Sequence, residues 1–319
     1  NKEFALKFKP FPIDTKGSFE EQKQNLFQTF LYPEPLMTFD ANDNSKLCIN
    51  QIKGISKYGP IDASYLKENE ERHPIRLAIL CPKISLNSVL THLNKLNSKL
   101  SPTEKDFLTN YEGFANIYKR SLVIPTQDNN NLIVSYDTES TKNYSTEQFL
   151  KFIKNQIDLF STKNSDFEVL IIYIPSILKQ YREDATYDVD YNFHDAIKLY
   201  ATDKGVRIQI IEERSLNSYD MCKLMWALSK SIYAKLWHPK VLNDNTAFVG
   251  ISYAQSKSNG TCIGCSQLFD SKGTGMRLIL QKINDPLFFR KNSPYMKRDE
   301  ARKTLSRLRE EYNKSAMSN

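Results

Sequence analysis

Four residues in the second half of the chain have types and spacing suited to gripping an anion: His194, Lys198, Gln209 and Lys235. His194 and Lys198 are four apart, so on a helix they share a face. The apolar positions Phe193, Ile197 and Tyr200 put that face at the rim of a buried stripe. Gln209 lies in a strand-like run from Val206 to Ile211. Alternation sets Val206, Ile208 and Ile210 on one side, with Arg207 and Gln209 on the other. A glutamine midway along a core strand needs a polar partner. Lys235 follows the apolar stripe Met221, Leu224, Met225, Leu228 and Ile232, and at about 100° per residue it falls inside that stripe. A buried lysine is costly unless an anion pairs with it or its ammonium reaches water. Two readings stand for Lys235 alone: an ammonium that snorkels to solvent or meets the last helix carbonyls, or an anion ligand. Taken with the other three, a phosphate at the mouth of a sheet supplies both the counter-charge and the hydrogen-bond acceptors.

Other chemistry is less well supported. Cys262-Ile-Gly-Cys265 has metal-like spacing, but no second Cys/His pair matches it, and it lies inside a strand-like stretch; a structural role fits better. With Cys48, Cys81 and Cys222 the cysteines number five, an odd and scattered set that suits a reducing compartment. No Gly-x-Gly-x-x-Gly follows the first strand, so a dinucleotide cofactor is not indicated. The helix over Lys297 to Lys314 mixes Arg302, Lys303, Arg307 and Arg309 with Glu300, Glu310 and Glu311. It reads as a solvated helix laced with ion pairs, or as a surface for a nucleic-acid backbone.

The anion candidates need a sheet and two helices to hold them. Ile75 to Leu80 is a short apolar strand, and Ser85 to Leu100 has helical spacing through Val89, Leu90, His92, Leu93 and Leu96. Leu122 to Pro125 reads as a strand. Ser145 to Phe160 reads as a helix with Thr146 as a cap and Phe149, Ile153 and Ile157 on one stripe. Val169 to Ile174 is apolar on both faces and so belongs mid-sheet. Phe193 to Thr202 is a helix stopped at Gly205, Val206 to Ile211 a strand, and Tyr219 to Leu236 a helix capped by Ser218. Strand alternating with helix predicts an α/β fold with a parallel, doubly wound sheet, over residues 73–240. Ligands in such folds sit outside the carboxyl ends of the strands. Residues 1–72 read as an arm with strand-like pieces at Glu3 to Lys9 and Leu47 to Ile52 and a turn at Tyr58-Gly59-Pro60. Residues 241–319 read as strands at Ala247 to Tyr253, Cys262 to Phe269 and Met276 to Gln281, then the charged helix: the front of a second sheet domain.

With 40% hydrophobic residues among 319, most of the chain should fold. A net charge of +7 permits an anionic partner without requiring one. No apolar run is long enough to span a membrane, and Asn1 to Pro12 lacks a signal-peptide core, which points to the cytoplasm.

The order His194…Lys198, Gln209, Lys235 resembles the guide 5′-end pocket of Argonaute MID domains, where a helix supplies an aromatic or His and then a Lys, a strand supplies Gln, and a later helix a second Lys. Lys230 and Ser231 lie near where a further contact can occur. Tyr32-Pro-Glu-Pro-Leu36, Gly54 to Pro60, Gln209 to Arg214 and Tyr295 to Asp299 also resemble segments of short prokaryotic Argonautes. No PAZ-like segment is evident. The resemblance implies a Rossmann-like MID domain over 73–240 and the first part of an RNase H-like PIWI domain over 241–319, completed by further chain or by a partner. It further implies guide-strand binding, with 5′-phosphorylated small RNA as the expected guide, and recognition of complementary target DNA. Ser252 stands where active members carry the first catalytic Asp, so two-metal slicing is not expected. Relatives of this kind act with an APAZ-containing protein bearing a TIR or Sir2 NAD-consuming domain, in defence against plasmids or phage. A magnesium ion can sit at the guide 5′ end in this family; no ligand set in the sequence identifies one. Two alternatives remain: a metal-dependent RNase H-like nuclease using Asp270, Asp299 or Glu300, and a nucleotide-binding Rossmann-like module.

Overall fold

The structure, a computed structural model, describes residues 36–316 except 67–71, 104–108, 128–130, 183, 185–186, 188–190, 217–219, 234–235, 240–246, 256–261, 271–274, 283–287 and 291–292; at 238–239, 253–255, 262–266, 275–282, 288–290, 293–294 and 315–316 it describes the backbone alone. The strand-like piece at Glu3 to Lys9, the Tyr32 to Leu36 segment up to residue 35, the Ser218 cap and Lys235 therefore lie outside the described residues.

Strands β1 (Met37–Thr38) and β2 (Leu47–Cys48) pair antiparallel and lead into helix α1 (Gln51–Tyr58). The strand expected from Leu47 to Ile52 thus stops after two residues. The Asn50 side chain accepts the Lys53 amide and starts a helix, which Gly59 ends at a φ of 79°.

The parallel sheet follows. Its first strand is β3 (Ile75–Pro82), succeeded by α2 (Leu86–Asn94), β4 (Leu122–Val123), β5 (Ile133–Tyr136), α3 (Thr146–Ser161), β6 (Val169–Ile174), α4 (Phe193–Asp203), β7 (Ile208–Glu212) and α5 (Met221–Tyr233). Spatially β5, β3, β6 and β7 lie side by side, with β4 beside the start of β3, and all pair in parallel. Alternation explains why β6 is buried throughout: Val169, Ile171 and Tyr173 enter the core under α2 and α5, while Leu170, Ile172 and Ile174 enter the one under α3 and α4. Ser145, rather than Thr146, caps α3. Its hydroxyl accepts the Gln148 amide and the Gln148 side chain returns the bond, which frees Thr146 to be buried. Asp220 accepts the Lys223 amide at the start of α5.

Strand β8 (His238–Pro239) returns to pair with β1, tying the arm to the end of α5. That tie is reinforced by Asp62, which receives the Tyr233 hydroxyl at 2.5 Å and pairs with Arg72 at 2.7 Å. The Ile61 amide also donates to the Leu236 carbonyl at 3.0 Å.

Beyond this, β9 (Phe248–Gln255), β10 (Cys262–Phe269) and β11 (Gly275–Lys282) form an antiparallel sheet, and β12 (Phe288–Arg290) pairs with β13 (Ser293–Tyr295). Helix α6 (Arg298–Ala316) buries Thr304 and Leu308, four apart, and Leu308 packs with Leu268. Among the described residues no helix is long and apolar enough to cross a membrane.

Candidate functional site

Strand β7 is the open edge of the parallel sheet, and α4 and α5 cover its two faces. The turn that enters it is set by Gly205, at a φ of 70°, with the Val206 amide donating to Ala201 O at 2.8 Å. This turn delivers Arg207 to the base of the edge. Arg207 Nη2 donates to Ile232 O at 2.7 Å, so the guanidinium occupies the negative end of α5. Desolvation there, and then the nearby Arg120, pull its pKa below the usual guanidinium range.

Lys198 projects from α4 into the same space. A cavity of about 400 Å³ is lined by Lys198, Thr202, Arg207 and Ser231. Among the described residues neither Lys198 nor Arg207 has a carboxylate within salt-bridge distance. Lys198 and Arg207 thus set two cations beside two hydroxyls, an arrangement able to take a phosphate-like anion, with Glu168 near enough to Arg207 to offset part of its charge. The described lining carries no carboxylate and so does not fit a magnesium ion held by the protein.

Gln209 is half-buried one alternation further along β7. Its side-chain amide donates to Ile210 O at 3.2 Å, and it lines a smaller cavity of about 130 Å³ that also includes Ser231. Ser231 thus joins the Lys198 cavity to the Gln209 cavity. His194 is exposed one turn before Lys198 and sits 3.3 Å from its neighbour Asp195; it lines neither cavity. The cavity that Lys198 lines therefore lies along the edge of the sheet, between α4 and α5, whereas the sequence reading set the four residues at the mouth of the sheet. The reason is strand order: among the described residues the sheet ends at β7 and no strand pairs with its outer flank. Sequence reasoning missed Arg207, although alternation had already set it on the same side as Gln209.

In the second sheet Ser252 is exposed on β9 and pairs with Cys265. Asp299 is exposed, and Glu300 is buried beside Lys303 at 3.4 Å. No group of three His, Cys, Asp or Glu residues able to hold a metal occurs among the described residues. On α6 the exposed Arg302, Lys303, Arg307 and Arg309 face away from the buried Thr304 and Leu308 seam. Cys262 and Cys265 both fall within the regular ladder of β10.

No protein-family model and no curated protein matches the chain. In structure it is similar to Argonautes. Against the Aquifex aeolicus Argonaute the TM-score is 0.44 at 15% identity, covering 88% of this chain and 35% of that one. Against the Marinitoga piezophila Argonaute in complex with 5′-OH guide RNA and target DNA it is 0.46 at 12% identity, covering 89% and 38%. The chain thus spans little more than a third of the length of either protein.

Proposed function

We propose that this chain anchors the 5′-phosphate of a nucleic-acid guide strand on the open edge of β7. The observation that carries this reading is the convergence of Lys198 and Arg207, without carboxylate partners among the described residues, on a cavity bordered by hydroxyls. In this reading Gln209, across Ser231, hydrogen-bonds the first nucleotide, and His194 approaches the strand from the exposed turn of α4. Lys235 follows α5, whose end is pinned by Asp62 through Tyr233, and supplies a further positive charge.

The resemblance in residue order makes a small RNA the guide and a complementary DNA the target, with base pairing rather than side chains reading the sequence. Slicing is not part of the proposal. Ser252 is a weak, neutral ligand where a two-metal site needs a carboxylate. The outcome of target binding is then activation of a separate APAZ-containing protein with a TIR or Sir2 domain, and the biological role is cytoplasmic defence against plasmids or phage.

The test is fluorescence anisotropy of one RNA, with and without its 5′-phosphate, on the full chain and on Lys198→Ala, Arg207→Gln and Lys235→Ala. The reading expects a strong preference for the phosphorylated RNA that each substitution erodes. Equal affinity for both RNAs, unmoved by the substitutions, sinks it.

A further inference from the structure

A second cleft lies elsewhere on the parallel sheet, and none of His194, Lys198 and Gln209 lines it. The strands run β5, β3, β6, β7 in space, so the chain moves first to one side of β3 and then to the other. Open α/β sheets bind ligands outside the carboxyl ends of the strands at such a reversal. The cleft occupies that position. Its walls come from the residues just past β3 (Ser85), β5 (Thr138), β6 (Pro175) and β7 (Glu213), and its volume is about 710 Å³, within the usual range for small-ligand sites, roughly 300–1,000 Å³.

Two polar groups in its wall are left wanting. His92 on α2 is 2% exposed, and neither ring nitrogen has a hydrogen-bond partner among the described residues. The buried hydroxyl of Thr138 has none either. Each unmade bond costs about 1–3 kcal/mol, so their retention calls for an occupant. His92 lines both this cleft and the small cavity behind Gln209. Burial, and then Lys95, hold its pKa near 4, so at neutral pH the ring offers one donor and one acceptor.

We infer that this cleft binds a nucleoside phosphate. The donor–acceptor pair of a neutral imidazole suits the edge of a base. Ile84, which is 87% exposed, and Ile177 offer apolar surface to its faces. Glu213, kept ionised by the Ser176 amide, accepts from sugar hydroxyls. Lys95, just past the end of α2 and one helical turn from His92, faces the phosphate. The same chemistry belongs to a free nucleotide and to one residue of a bound strand.

Calorimetry on the full chain separates these sources. The probes are the four nucleoside 5′-monophosphates, inorganic phosphate and a 5′-OH hexanucleotide. The variants are His92→Leu, Ser88→Trp, which fills the cleft from an exposed helix position, and the edge pair Lys198→Ala/Arg207→Gln. Binding of a mononucleotide that weakens about tenfold or more in both cleft variants and survives in the edge variant supports a free-nucleotide site. Binding of the hexanucleotide alone, with the same dependence, supports a strand-residue site. Either result stands even if 5′-phosphate preference at the edge fails. Inorganic phosphate binding as tightly as the nucleotides, no binding at all, or affinities indifferent to Ser88→Trp and His92→Leu with unchanged melting temperatures overturns the proposal.

Discussion

The edge of β7 and the cleft above β3 and β6 are both unsatisfied, but in different ways. At the edge the deficit is charge: among the described residues neither Lys198 nor Arg207 has a carboxylate within salt-bridge distance, and an anion nearby is drawn in. In the cleft the deficit is hydrogen bonds: His92 and Thr138 are neutral groups withdrawn from water. Charge is screened by salt and acts over several ångströms, whereas a hydrogen bond is not screened and demands geometry. The edge is therefore suited to capturing a phosphate whatever is attached to it, and the cleft to recognising what is attached.

The largest effect should come from breaking the edge. Two charge-assisted hydrogen bonds at about 1.5–3 kcal/mol each predict that Lys198→Ala/Arg207→Gln weakens a 5′-phosphorylated RNA by about a hundredfold or more. Anisotropy titrations at several salt concentrations should also show a shallower salt dependence for the variant. Mononucleotide affinity in the cleft should barely respond to salt or to these substitutions. If both sites lose affinity together, the distinction between them is wrong.

A smaller effect tests what holds the edge in place. Asp62 joins Arg72 and Tyr233 in one cluster at the end of α5. Asp62→Ala leaves the largely buried Arg72 guanidinium without its carboxylate, at a cost of about 3 kcal/mol in chemical denaturation. Because the cluster pins the helix that carries Ser231, the surviving folded protein should lose 5′-phosphate preference but keep mononucleotide binding. Equal loss at both sites would make Asp62 a general stabiliser rather than a support for the edge.

These distinctions were unequally legible in the sequence. The strand Val169–Ile174 and the helix after Ser145 were plain, because apolar periodicity reports burial directly. The four residues of β5 were not read, since so short a strand carries little pattern of its own and is selected by pairing with β3. Likewise Leu47 to Ile52 looked extended until the Asn50 cap and the Gly59 stop turned its second half into helix. Lys198 was singled out from its spacing to His194. The role of Arg207 was not, because it depends on β7 being the last strand, a fact of sheet order and not of local pattern. His92 entered the helical stripe as one more buried position. Periodicity says that a side chain is inside; it cannot say whether its nitrogens find partners there.

The smallest predicted effect sharpens the cleft side of the comparison through pH. His92 has a pKa near 4 in the folded chain, lowered by burial and then by Lys95, against an ordinary value of 6.5. The charged and titratable groups around it are Lys95 on its own helix, Tyr173 from β6, Glu139 after β5 and Glu213 after β7. Between pH 6.5 and 4 the unfolded chain holds a proton on this residue that the folded chain refuses. Its contribution to stability is complete above pH 6.5 and is lost as the pH falls toward 4. His92→Leu removes both the titration and the two unmade hydrogen bonds. The variant should be more stable than the parent by about 1 kcal/mol at pH 7. The gap should then widen by up to about 1.4 kcal/mol per pH unit below 6.5, to roughly 3 kcal/mol at pH 5.0. Urea denaturation at pH 7.5, 6.0 and 5.0 reads this directly. A saturating mononucleotide should stabilise the parent and not the variant, which narrows the gap at each pH. Parallel stability curves, or a variant less stable than the parent at pH 7.5, would mean that His92 is a satisfied core residue and that the cleft has no polar demand to meet.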